Sequence, residues 1–278
     1  MKKIDIIIPS YKSRTLTSLA IRSFEKFKSE FYFRYIVVEN ACDESYKELV
    51  LALAEDVVWI SNKQKAGYCR AAANAEAIEV GLKYVKSDLV FMCHNDTVAC
   101  HDNWMNILYE KIQEGCHIAG TVLDNVRIKA VHISGMLLTT ELAKKISCYP
   151  INKKASIVYQ GLSFEKISEL NINATKKALN IPDNVHLDVG DTYTQYCREN
   201  NLNYFCLKNT ENDNVDFKLM EPYTNFFADR AVDDSGNVVF MHLGRGIAKK
   251  DKKYSIKGRV SSHEWEKFVE ENVLGGKQ

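Results

Sequence analysis

His94, Asn95 and Asp96 follow directly on the apolar run Leu89–Cys93 in the stretch SDLVFMCHNDTVA. Consecutive apolar residues between polar flanks read as a strand buried on both faces, as in sheets covered by helices on each side. Polar groups do not stay buried without partners, so this strand must reach an edge at His94. In open α/β sheets the carboxyl ends of strands face the ligand crevice, and an imidazole and a carboxylate separated by one residue offer two ligands to a divalent metal there. A solvated strand-to-loop turn has the same pattern. FMHLGRG repeats it, because His242 comes straight after the apolar run Val238–Met241. A third polar cluster, LDVGDTY, holds Asp188 and Asp191, two carboxylates three residues apart and so suited either to general-base chemistry or to capping a helix.

The elements that must position these residues are legible in the same way. Ile4–Ile8, Tyr35–Val38, Val57–Ile60 and Leu89–Cys93 read as buried strands. SRTLTSLAIRSFEKF puts Leu16, Leu19, Phe24 and Phe27 on one helical face, and the alanine-rich CRAAANAEAIEVGLKYV is long enough for a crossover helix. Strand, helix, strand, helix predicts an α/β fold with a mostly parallel central sheet flanked by helices. Asp102 is placed to cap a helix carrying Trp104, Ile107, Leu108 and Ile112. Strands are then expected at His117–Leu123, Val131–Thr139, Tyr204–Leu207 and Val238–Met241, with a helix through Tyr193, Tyr196 and Cys197. Residues 150–182 are lysine- and asparagine-rich and read as a helical insertion. The tail SSHEWEKFVEENVLGG opens on a capping box, Ser261 with Glu264, and ends on glycines that stop a helix.

Composition excludes several classes. With 37 basic and 36 acidic residues among 278, the total charge gives no reason to expect nucleic acid or a membrane surface as partner. The eight cysteines form no CxxC pair, so no zinc site is implied, and without a secretory apolar core they read as reduced thiols of a cytoplasmic protein. The opening MKKIDIIIPS is interrupted by Asp5 and ends its apolar run at Pro9, too short for a membrane span and suited to a first strand. After that strand stands IPSYKSRT, not GxGxxG, and no GxxxxGK[ST] occurs. A dinucleotide-binding site and a P-loop are therefore not expected, and phosphates would fall to a divalent metal, basic side chains or helix N-termini.

The ordered series IDIIIPSYKSRTLTSLAIRSF, YIVVENACD, NKQKAGYCRAAANAEAI and DLVFMCHNDTVA resembles the successive motifs of GT-A glycosyltransferases, and of glycosyltransferase family 2 in particular, from residue 4 to about 112. HISGMLLTTELAKKI and LDVGDTYTQYCRENNLNYFCL are similar to that family's acceptor-side strand and acidic catalytic helix. The resemblance implies a single GT-A domain: a nucleotide-sugar-binding half over 1–115, an acceptor-binding half over 116–240 and a basic C-terminal segment over 241–278. It implies that Pro9, Ser10 and Tyr11 line the base pocket and that Glu39 stands where the family usually has an Asp touching uracil or ribose. Asn62 and Gly67 would border the nucleotide and Arg70 would reach its phosphates or sugar, with Arg14 and Asn95 in the same set. His94 and Asp96 fall on the family's DxD, His replacing the first Asp, and His242 would complete a site for Mn²⁺ or Mg²⁺. Imidazole ligands favour Mn²⁺.

What the resemblance implies for function is metal-dependent, inverting transfer of a hexosyl group from a nucleotide diphosphate sugar, with UDP as the expected nucleotide, to a hydroxyl. The acceptor would be a glycan, a lipid-linked saccharide or another hydroxyl compound, and Asp188 or Asp191 would be the base, Asp188 being favoured. GRGIAKKDKKYSIKGR, with Arg245 and Lys249, would close over the diphosphate, recruit an anionic acceptor such as DNA, which is the less favoured reading, or remain a solvated basic loop. Two rival functions stay open: a sugar-phosphate nucleotidyltransferase, which calls for a glycine-rich loop where IPSYKSR stands, and a GT-A module that binds nucleotide sugars without catalysis.

Overall fold

The computed structural model of the chain describes residues 2–64, 71–122, 130–149, 188–210, 228–244 and 261–275. Among the described residues, ten strands form one sheet in the order β3-β2-β1-β4-β7-β6-β8-β9-β10-β5. The strands are β1 (Lys2–Ser10), β2 (Phe31–Glu39), β3 (Val57–Ser61), β4 (Leu89–Met92), β5 (Thr97–Ala99), β6 (Ile118–Val122), β7 (Val131–Thr139), β8 (Tyr204–Thr210), β9 (Asp229–Val232) and β10 (Val238–His242). The helices are α1 (Arg14–Lys26), α2 (Lys47–Leu51), α3 (Ala71–Leu82), α4 (Trp104–Gln113), α5 (Thr140–Lys145), α6 (Asp191–Glu199) and α7 (Ser262–Phe268). Strands β3, β2, β1 and β4 run parallel, as the strand–helix alternation predicts. Beyond β4 the sheet is largely antiparallel, and only β6 and β8 pair in parallel. The two parts meet without a break, since β4 pairs with β7 from Leu89↔Thr139 to Met92↔Met136.

The parallel half is built from strands buried on both faces. Ile4, Ile6 and Ile8 of β1 face one apolar cluster with Phe24, Trp104 and Phe91, while Ile7 faces another with Ile78, Val90 and Met92. Helix α1 lays Leu16, Leu19, Ala20 and Phe24 inward, and Phe24 stacks on Trp104 with ring centroids 5.0 Å apart.

Strands β4 and β5 are separated by six strand spacings in the sheet yet joined by only four residues, Cys93–Asp96. Laid flat, six spacings cover about 29 Å, whereas the link from Met92 to Thr97 reaches at most about 18 Å. The sheet therefore curls until its last strands return to the carboxyl end of β4. The bend lies on β8: Tyr204–Leu207 pair with β6, and Lys208–Thr210 pair with β9. Contact across the curl is close. Gly135 of β7 faces the Phe240 ring of β10 so tightly that a Cβ there would stand 2.2 Å from the ring, and Thr97 Oγ1 of β5 donates to the Ser134 carbonyl at 2.7 Å.

Three local expectations change. Asp102 does not cap α4; the cap position is held by Asn103, which makes no side-chain cap hydrogen bond, and the His101 ring accepts the Asn103 N–H at 3.1 Å. Asp191 is the first residue of α6 and not its cap, which is Gly190 at φ +84°, a left-handed turn that glycine tolerates. β5 and β9 are too short for a periodicity to stand out. The expected capping box is present: Ser261 Oγ accepts the Glu264 N–H at 3.2 Å and the Glu264 carboxylate accepts the Ser261 N–H at 2.6 Å. Helix α7 continues as a π-turn over Val269–Leu274 to Gly275, and Lys26 donates to the Val273 carbonyl at 2.6 Å, tying the C-terminal helix to α1. Residues 150–182 lie outside the described residues.

Gly135→Ala should lower unfolding free energy by about 1–3 kcal/mol, the range for overpacking. Because the clash is with Phe240, urea denaturation of Gly135→Ala combined with Phe240→Leu should show a cost well below the sum of the two single changes.

Candidate functional site

Three strand-end segments meet inside the curl. His94 and Asp96 come from the link after β4, His242 from the last position of β10, and His132 from the second position of β7. His94 Nδ1 lies 2.9 Å from His242 Nε2, which in turn lies 3.2 Å from Asp96 Oδ1. Among the described residues, the ligand atoms of His94, Asp96 and His242 all fall within 4.8 Å of one another. Two ligands at right angles about an ion, on bonds of about 2.2 Å, stand about 3.1 Å apart. The spacing and the two-nitrogen, one-oxygen donor set thus fit a divalent cation with positions left open.

Each of the three side chains is held from behind. His242 pairs across the sheet with Thr97 on one side and Asp229 on the other, and its Nδ1 lies 3.3 Å from the Asp229 carboxylate. Carboxylate behind imidazole is the usual support of a metal-bound histidine. His94 Nε2 lies 2.7 Å from the Asn74 carboxamide of α3, which can turn either its oxygen or its nitrogen to that ring as the tautomer requires. Asp96 is 4 % exposed, and its backbone carbonyl accepts the Leu243 N–H at 3.1 Å, locking the link against the end of β10.

Electrostatics favour a charged imidazole within this arrangement. Burial disfavours the His242 cation, but the carboxylates of Asp96 and Asp229 outweigh it and raise the group from 6.5 to about 9. A metal must displace that proton, so binding and deprotonation are coupled.

The expected nucleotide-binding residues form a second set on the same edge. Ser10, Glu39 and Ser61 are in register at the carboxyl ends of β1, β2 and β3, with Asn62 directly after. Ser10 Oγ lies 2.7 Å from the Tyr46 hydroxyl and 3.0 Å from Thr17 Oγ1, Pro9 is buried beside it, and Arg14 and Tyr11 are exposed, Tyr11 by 46 %. Glu39 is fully buried, and its carboxylate accepts the Lys12 N–H at 3.2 Å, the Ala41 N–H at 2.9 Å and the Tyr46 hydroxyl proton. It therefore closes the two loops that follow β1 and β2. Asn62 donates to the Asn40 carboxamide oxygen at 2.7 Å. Asn95 is partly buried in the link between His94 and Asp96. Gly67, Arg70, Arg245 and Lys249 lie outside the described residues.

The acidic pair sits on a turn beside β7. Gly190 stands against Ile133 and Met136, and its N–H donates to the Cys148 carbonyl at 2.8 Å. Asp191 is 1 % exposed, and its carboxylate accepts the Asp188 N–H at 2.6 Å, which closes the turn. Asp188 is half-buried, and its Oδ1 accepts the Val189 N–H at 2.7 Å. Sequence reasoning missed His132, Asn74 and Asp229. The first opens a strand and the last lies on a four-residue one, so neither follows an apolar run, and Asn74 is one polar residue in an alanine-rich helix.

The raised His242 group makes metal-free stability depend on pH. Its folded value exceeds its unfolded one, so the contribution is complete below about pH 6.5 and is lost as pH rises through about 9. Urea unfolding in chelator should show a fall of about 3 kcal/mol across that window, and Asp229→Asn should shrink it.

No protein-family model and no curated protein sequence matches the chain. Solved structures do. The chain is similar to the galactosyltransferase LgtC in complex with donor and acceptor sugar analogs, at 10% identity over 96% of this chain and 95% of that one, with a TM-score of 0.53. It is also similar to the mannosyltransferase PcManGT from Pyrobaculum calidifontis in complex with GDP-Man and Mn²⁺, at 13% identity over 60% of this chain and 52% of that one, TM-score 0.43. A third likeness is to S. aureus TarS 1–349 in complex with UDP-GlcNAc, at 14% identity over 62% of this chain and 53% of that one, TM-score 0.39. The match spans about half the length of the latter two. The end-to-end likeness to LgtC, over a mixed sheet flanked by helices, shows that this chain has the GT-A glycosyltransferase fold.

Proposed function

We propose that the chain is a glycosyltransferase that moves a hexosyl group from a nucleotide diphosphate sugar, with UDP as nucleotide, to an acceptor hydroxyl with inversion. The observation that carries this reading is the convergence of His94 Nδ1, Asp96 Oδ1 and His242 Nε2 on the strand-end edge that also bears Ser10, Glu39 and Asn62. The LgtC structure, alike in fold from end to end, holds donor and acceptor sugar analogs, which supports the same chemical class here. A divalent ion on the three ligands would offset the negative charge on the departing diphosphate. The two imidazoles favour Mn²⁺ over Mg²⁺.

In this reading His94, Asp96 and His242 hold the ion, and Asn74 and Asp229 fix the rings. Ser10, Tyr11 and Asn62 face the nucleoside, while Glu39 supports the loops around it. Pro9, Arg14, Gly67, Arg70 and Asn95 complete the donor site, with Arg245 and Lys249 meeting the diphosphate in preference to a polyanionic acceptor. Asp188 takes the proton of the acceptor hydroxyl, being the more open of the two acids. Asp191 holds the turn that carries it. The acceptor is a glycan, a lipid-linked saccharide or another hydroxyl compound in the cytoplasm.

Calorimetry should give UDP binding that depends on Mn²⁺ and is abolished by Asp96→Asn. Equal affinity with and without the ion would overturn the metal-dependent reading, and binding without donor hydrolysis or transfer would leave a non-catalytic module.

The two acids separate by kinetics. Asp188→Asn should cut turnover by roughly a hundredfold or more with UDP affinity nearly unchanged. Asp191→Asn should chiefly lower the melting temperature, at a cost of about 1 kcal/mol, because a carboxamide oxygen accepts the Asp188 N–H without the charge that strengthens the bond. The reverse outcome would exchange their roles.

A further inference from the structure

Asn40, the residue after β2, is 5 % exposed and engages each of its polar atoms. Its N–H donates to the Ser10 carbonyl at 2.9 Å, and its own carbonyl accepts the Gln64 N–H at 3.0 Å, which ties together the segments that follow β1, β2 and β3. The side chain donates from Nδ2 to the Ala73 carbonyl at 2.8 Å and accepts from Asn62 Nδ2 at 2.7 Å. A carbonyl can only accept, so the Ala73 oxygen fixes which way the Asn40 amide is turned, and Asn40 Oδ1 in turn fixes the amide of Asn62.

Ala73 lies in the first turn of α3, and the next residue is Asn74, whose carboxamide stands 2.7 Å from His94 Nε2. Between the Asn40 amide and the His94 ring there is thus one short piece of main chain, from the Ala73 carbonyl to the Asn74 Cα. None of the Asn40 hydrogen bonds goes to His94, Asp96 or His242, so its reach to them runs through the start of the helix. A hold on that carbonyl sets the rotation of the first turn and with it the place where the Asn74 amide meets the ring.

We infer that Asn40 is a positioning residue for the candidate metal centre: by fixing the first turn of α3 through the Ala73 carbonyl, it aims the Asn74 carboxamide at His94 and holds that imidazole in the orientation an ion requires. The ion rests on the proposed function; the orientation of the ring is a property of the metal-free protein and does not. Partners behind a metal-bound histidine orient the ring, and losing one typically costs tenfold or more in metal affinity.

The test is a double-mutant cycle on Asn40→Asp and Asn74→Ala, read by Mn²⁺ calorimetry and by the imidazole ¹⁵N resonances of His94 in metal-free protein, assigned by their loss in His94→Gln. Asp keeps an acceptor for Asn62 but has no donor for Ala73; Asn40→Ser, neutral and shorter, takes its place should the carboxylate prevent folding. Each single change should weaken Mn²⁺ binding by about tenfold and displace the His94 resonances, and the double variant should be no weaker than Asn74→Ala alone. Effects of the two changes that add would mean that Asn40 acts by another route, and would overturn the inference. So would a lowered melting temperature in the Asn40 variant with Mn²⁺ affinity and His94 resonances unmoved, or an Asn74→Ala protein in which neither changes. Unsubstituted protein that binds no Mn²⁺, with the His94 resonances displaced non-additively as expected, would uphold the positioning role and reject the metal-dependent reading.

Discussion

The four-residue connection between β4 and β5 constrains the rest of this structure. Its length forbids a flat sheet, and the curl it enforces brings the ends of strands far apart in sequence onto one point. His94 and Asp96 lie on the connection itself, His242 ends the strand paired with β5, and His132 is the second residue of the strand paired with β4. The same constraint explains the small residue where β7 and β10 touch: any side chain at Gly135 would hold the Phe240 ring away and open the curl. Site geometry and core packing are thus two readings of one closure.

Inside the curl, charge is balanced by arrangement. Asp96 and Asp229 lie at opposite nitrogens of His242, two nearly buried carboxylates whose mutual repulsion is relieved by one imidazolium or by an ion that replaces its proton. On the same strand-end edge, the carboxylate of Glu39 is consumed by two backbone N–H groups and a tyrosine hydroxyl, so it rigidifies the loops at the ends of β1 and β2.

Much of this was legible from residues alone. Apolar runs located β1 to β4, β6 to β8 and β10, because strands buried on both faces are written as continuous apolar text. Ligand candidates stood out where such a run broke into His or Asp. Asn74, His132 and Asp229 did not, since their significance comes from which strands are neighbours, and a strand order that places β5 beside β10 has no local signature. The cap of α4 differs as well: Asp102 has the right chemistry, but the helix starts one residue later and Asn103 holds the cap position with no side-chain hydrogen bond. Asp191 likewise reads as a helix cap, yet the positive φ of Gly190 turns the chain so that the acid closes its own loop.

The ring contact between His94 and His242 spans 148 positions of sequence. Closing a loop of that size costs about 4 kcal/mol of chain entropy beyond a constant, so such a contact forms late, after shorter closures have been made. During synthesis the connection after β4 leaves the ribosome long before β10 exists, and until then His94 and Asp96 lack the partner that completes their set. The parallel half can condense on its own apolar clusters while its chemistry stays unassembled. The three residues that could hold an ion therefore come together only once β10 has paired with β5.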